Sequence, residues 1–208
     1  MSPETQRLVH LIATPVFLGL YLLRLIILMR FRMVKDKSPV RGEIAKGVLD
    51  AFLTIVMPWK MESTRKHFLH YLEFIAFHIG LFFTISLAYI YPYVHSIYDS
   101  AIIVNIFIFV IAVGLFAGII RFILRLSIPG LKIISVFDDY LALFMVLLFK
   151  ISGIIMLLGQ IWASWMYFLI VGLLLLYSPF SKIHHYLYYP FARYFYGSRL
   201  GRKYIVDG

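Results

Sequence analysis

Seven histidines are the residues best able to do chemistry in this chain: His10, His67, His70, His78, His95, His184 and His185. Five of them cluster at two long apolar segments, His67, His70 and His78 at the second and His184 and His185 near the end of the fifth. An ionisable side chain inside an apolar segment is costly, so it is a functional hypothesis by default. His78 lies deepest, in FHIG, and His184 and His185 lie in PFSKIHHYLYYP. Two imidazoles projecting from facing helices are the usual way a helical bundle holds a heme iron. Gly80 leaves room beside His78 for a flat macrocycle, with Phe74, Phe77, Phe82, Tyr186 and Tyr188 as its walls. The plainer alternative is five imidazoles satisfied by hydroxyls and carbonyls at one rim of the bundle. His10 and His95 stand at helix ends, where an imidazole is cheap and usually structural. Cysteine is absent, which excludes disulfide scaffolds, thiolate zinc sites, Cys-ligated iron–sulfur clusters and covalent c-type heme.

The elements that must carry these side chains are membrane spans. Of the 208 residues, 62% are hydrophobic and 14% charged, and the mean hydropathy is +0.89. Soluble chains run near 45–50% apolar and about 25% charged, so a soluble enzyme, a disordered chain and a fibrous rod are all excluded. A spanning helix needs about 20 mostly apolar residues. Five segments qualify: 9–29, 68–92, 101–124, 137–158 and 162–186. The first is too long for a signal-peptide core and lacks a small-residue cleavage site, so it counts as a mature span. No alternating ten-residue barrel pattern occurs, and only helices or closed barrels satisfy their backbone in lipid. The expected fold class is an all-α membrane protein, a single five-helix domain over residues 1–208.

Charge sets the orientation. Setting aside Arg7, Arg24 and Lys150, 17 of the 20 Lys and Arg residues fall in the segments 30–66, 121–132 and 182–208. Positive residues stay cytoplasmic, which predicts an outside N-terminus and a cytoplasmic C-terminus. The net charge of +10 is thus topology rather than nucleic-acid affinity. The basic, tyrosine-rich tail from Tyr186 to Tyr204 reads likewise as an interfacial belt. Within the largest polar segment, residues 44–59 space apolar residues as an amphipathic helix on the membrane surface does, with partner docking as the alternative.

FHIG on the second of five spans and PFSKIHHYLYYP ending the fifth resemble the gamma subunit of respiratory nitrate reductases. They resemble equally the wider group of five-helix heme b membrane anchors. The family pattern pairs the FHIG histidine with the histidine of PFS-x-x-x-H-x-x-x-x-P; here these are His78 and His185, and Pro190 closes the motif. The resemblance implies axial iron ligation by His78 and His185; by their own positions along the helices, His70 and His184 are rival ligands. The resemblance also implies a prokaryotic inner-membrane location, and iron–sulfur and catalytic subunits as partners. The family's nitrate reductase members hold a second heme, whose ligand positions correspond here to Ala88 and Tyr167. Neither residue can replace an imidazole, and His184 and His185 are only about 1.5 Å apart in helical rise. One heme b is therefore expected, not two.

Three charges lie within the expected spans. Glu73 follows His70 by three residues and can pair with it or with Arg65 or Lys66. Lys150 should find a carboxylate, such as a heme propionate or Glu73, or a quinone carbonyl. Arg24 is close enough to a rim to snorkel, and is a third candidate for a quinone or propionate. The expected function is an electron carrier without catalysis of its own. It would relay electrons between an exchangeable quinone in the membrane lipid and a cytoplasmic iron–sulfur subunit, with no nucleic acid involved. The competing class is a small heme-free transporter or proton-conducting subunit, in which Lys150, Glu73 and the histidines form a relay.

Overall fold

A computed structural model describes residues 3–31, 38–60 and 62–203, and among them every regular element is a helix. These are α1 (Pro3–Arg30), α2 (Ile44–Leu53), α3 (Glu62–Lys66), α4 (Phe68–Ile90), α5 (Ala101–Ser127), α6 (Pro129–Ile134), α7 (Phe137–Leu157), α8 (Ile161–Tyr177) and α9 (His185–Arg202). Helices α1, α4, α5 and α7 are long and apolar enough to cross a membrane, and the broken pair α8 and α9 makes up to five such spans. The chain groups into two compact units. One holds Met1–Leu20 and Leu72–Ile183; the other holds Tyr21–Tyr71 and His184–Gly208.

The first unit is built around two apolar clusters. One gathers Leu87 and Ala88 of α4 with Phe149 and Met156 of α7 and Ala163, Tyr167 and Phe168 of α8. The other joins Phe77 of α4 and Ala117 of α5 to Leu143, Val146 and Leu147 of α7. Close approach of α4 and α5 depends on facing glycines: a Cβ on Gly80 would lie 2.7 Å from the Cα of Gly114. Small residues let helix backbones meet where lipid offers no hydrophobic drive. Asp138 and Asp139 occupy the first turn of α7, where carboxylates favour the helix dipole, and Asp139 Oδ2 accepts the Val136 N–H at 2.9 Å. Gly159, at φ +82°, makes the turn into α8 that a side chain would strain. Tyr98, in the loop between α4 and α5, is buried against Tyr91 and Phe107, and burial pushes its phenol up to about 12.

Four of the expected spans match helices closely; the fifth does not. Its helix stops at Tyr177 rather than continuing to residue 186. Pro179 has no N–H to offer the Leu175 carbonyl, so the chain turns at 178–181 instead. The turn is held by Phe180 N–H to the Tyr177 carbonyl at 3.0 Å and by Asp138, which accepts the Lys182 N–H at 2.6 Å and pairs with the Tyr177 hydroxyl.

The second unit rests on α2 packed against α9. A Cβ on Gly47 would meet the Gly197 carbonyl at 2.4 Å, so the two helices touch backbone to backbone at Gly47, Gly197 and Gly201. The amphipathic segment expected at 44–59 is helical only over Ile44–Leu53. Thr54 turns its hydroxyl onto the Asp50 carbonyl at 2.6 Å, and Pro58 cannot continue the ladder. The small residues Gly47 and Ala51 of α2 face α9, while Leu49, Val56 and Trp59 stay exposed.

Candidate functional site

His78 sits in the first unit, midway along α4, half-buried between the rings of Phe74 at 4.1 Å and Phe77 at 5.3 Å. Its Nδ1 lies 2.8 Å from the Phe74 carbonyl one turn back. A carbonyl can only accept, so Nδ1 is the protonated nitrogen and Nε2 carries the lone pair. A metal-bound histidine characteristically has this arrangement, with the other ring N–H given to a backbone carbonyl. Gly80, in contrast, does not leave space for a macrocycle: the backbone of Gly114 fills the volume its side chain would take.

Lys150 is fully buried on α7. Its Nζ donates to the carbonyls of Phe77 on α4 and Gly114 on α5, both at 2.9 Å, and stands 3.8 Å from the centroid of the Phe77 ring. Two carbonyls and a ring face thus surround the amino group. The expected Lys150–Glu73 pair is not made, because Glu73 accepts from Arg121 Nε at 2.8 Å. Arg121 takes the place that sequence spacing offered to His70, Arg65 and Lys66. Lys150 has no counterpart in sequence because its partners are backbone oxygens, which leave no letter.

The two positions that the resemblance alone sets against a second heme are packed core. Ala88 and Tyr167 are buried, Tyr167 stacks on Phe149 at 5.3 Å, and its hydroxyl donates to the Thr84 carbonyl at 2.6 Å.

The second unit holds the other candidate ligands. His185 opens α9 and His184 precedes it as the N-cap residue, so neither rides on the helix of the fifth span as expected. His185 is exposed and lies 6.5 Å from the Tyr186 ring. His184 stacks edge-on with Tyr188 at 5.1 Å, and the Tyr188 hydroxyl accepts from Arg24 at 3.5 Å. Tyr186 stacks on Tyr21 at 5.3 Å. His70 is exposed, its ring 5.8 Å from that of His67. His78 thus belongs to one unit, and His70, His184, His185 and Arg24 to the other.

One buried polar residue stands apart from these candidates. His10 of α1 is 4% exposed, in a stripe with Gln6 and Thr14 at a spacing of four that the sequence already displays. Comparison with protein-family models, with curated proteins and with solved structures finds no match for this chain.

Proposed function

We propose that this chain is a heme b membrane anchor subunit of a multi-subunit respiratory oxidoreductase in a prokaryotic inner membrane. It is similar to nitrate reductase gamma subunits in its two histidine motifs. What carries the reading is His78: an imidazole in the FHIG motif of an apolar span, whose Nδ1–H is given to the Phe74 carbonyl. By that similarity His78 and His185 would hold one heme, which when bound would supply a one-electron couple. The chain's own residues do the rest. Phe74 fixes the tautomer and direction of His78, and Phe77 walls one edge of the ring. The packed Ala88 and Tyr167 support a count of one.

Electrons would pass between a membrane quinone and an iron–sulfur subunit on the cytoplasmic side, the side to which the Lys and Arg residues assign the C-terminus. A proton relay through Lys150 is disfavoured, since its amino group is tied to two backbone carbonyls. A reduced-minus-oxidised absorption spectrum with a pyridine hemochrome assay tests the proposal. One heme b per chain is expected; two would refute the count, and none in an assembled complex would refute the function.

A further inference from the structure

The sequence nominated Lys150, Glu73 and Arg24 to meet a quinone, and each is engaged elsewhere: Lys150 with two carbonyls, Glu73 with Arg121, Arg24 with Tyr188. His10 is different. It is 4% exposed, and among the described residues neither ring nitrogen has a hydrogen-bond partner. One turn further along α1, the buried hydroxyl oxygen of Thr14 lacks one too. Residues four apart share a helix face, so these two unsatisfied polar groups point the same way from α1. Burying such a group without a partner costs about 1–3 kcal/mol, and native proteins seldom leave it so without a ligand or water present.

What surrounds His10 is aromatic. The ring of Tyr89 lies at 4.8 Å, Phe168 at 5.8 Å and Tyr93 at 6.4 Å, all within the first unit. Arg7, whose Nε donates to the Pro92 carbonyl at 3.0 Å, lies over Tyr93 at 5.5 Å and closes the site on one side. Tyr89 and Tyr93 are exposed, so a ligand reaches His10 past them. A neutral imidazole presents one N–H and one lone pair, and a threonine hydroxyl presents both as well. The group that satisfies them must donate and accept at one place while its body stacks on aromatic faces. A hydroxyl on a flat ring does this; a lipid chain or a bare carbonyl does not.

We infer that His10, boxed by Tyr89, Tyr93 and Phe168, forms with Thr14 a binding site for the hydroxylated ring of a membrane quinol. The choice of a quinol among hydroxylated rings rests on the function proposed above. The site itself rests on the two orphaned side chains and the aromatic box.

The test uses the full chain in lipid nanodiscs and an alkylated 2-hydroxy-1,4-naphthoquinone, which carries both a hydroxyl and carbonyls. Binding is read as saturable quenching of tryptophan fluorescence, and Trp162 and Trp165 lie on α8, the helix that carries Phe168. His10→Phe keeps the aromatic packing and removes both hydrogen-bonding nitrogens; it is expected to weaken binding roughly tenfold, the worth of one well-placed hydrogen bond. Thr14→Val is expected to weaken it a few-fold, and His10→Gln, which restores a donor and an acceptor, to recover part of the loss. Unchanged affinity in both His10→Phe and Thr14→Val overturns the site, as does the absence of saturable binding to the wild type, which leaves water as the partner of His10. The heme spectrum separates the two claims. A chain that binds the probe through His10 without heme refutes the function alone; a heme-loaded chain indifferent to His10→Phe refutes the site alone.

Discussion

An amino group in the hydrocarbon layer costs on the order of 2.5–3.5 kcal/mol to insert. Two hydrogen bonds from a charged donor return about 1.5–3 kcal/mol each, and a desolvated cation over a ring about 2 more. The balance favours Lys150 as a tie across α4, α5 and α7. Lys150→Met should therefore lower unfolding stability by about 2 kcal/mol in detergent, since the acceptors lose a charged donor while the insertion cost disappears. Equal stability would mean the tie is idle. Glu73→Gln is the contrast: the Arg121 pair is partly exposed, and such pairs contribute about 1 kcal/mol or less. For the proposed heme, His78→Ala should abolish a low-spin spectrum while His10→Ala and His95→Ala leave it intact. Bleaching by His70→Ala but not by His78→Ala would reassign the ligand on α4. Residue types made His78 visible from the sequence, whereas the partners of Lys150 were not, because an acceptor on the backbone is common to every residue.

Helix boundaries were legible where apolar runs end in polar or turn-forming residues. The beginnings of α4, α5 and α7 fall at the expected residues for that reason. The fifth span was overextended because hydropathy stays high through Phe180 while Pro179 has already removed a backbone donor. Gly80 was misjudged in another way. A glycine beside a histidine looks like vacant space until the helix opposite is found to carry its own glycine at the same level. Gly80→Ala should force α4 and α5 apart and lower the thermal midpoint by several degrees, because the obstacle is backbone that cannot rotate away. Gly19→Ala, with no atom within 4 Å of the added carbon, should leave the midpoint unchanged or raise it. A common shift in both variants would show that the crossing has no special tightness.

For the molecule as a whole, the distribution of Lys and Arg predicts which side each loop faces, and the absence of cysteine makes that easy to check. Ser96 and Tyr194 are exposed and lie on segments expected on opposite sides. A membrane-impermeant maleimide should label Ser96→Cys in cells whose outer barrier is permeabilised, and Tyr194→Cys only once the inner membrane is broken; the reverse pattern inverts the topology. The grouping of the chain into two units was not legible, since it depends on which helices meet rather than on which are apolar. The Lys150 tie also bears on biogenesis. Chains enter the membrane from their N-terminal end as they are made, so α4 and α5, which carry the Phe77 and Gly114 carbonyls, arrive before α7. The lysine is delivered last, to acceptors already waiting. A rearranged gene that encoded α7 ahead of them would send an unaccompanied charge to the translocon, and the order of the helices along the chain is in that sense part of what makes Lys150 tolerable.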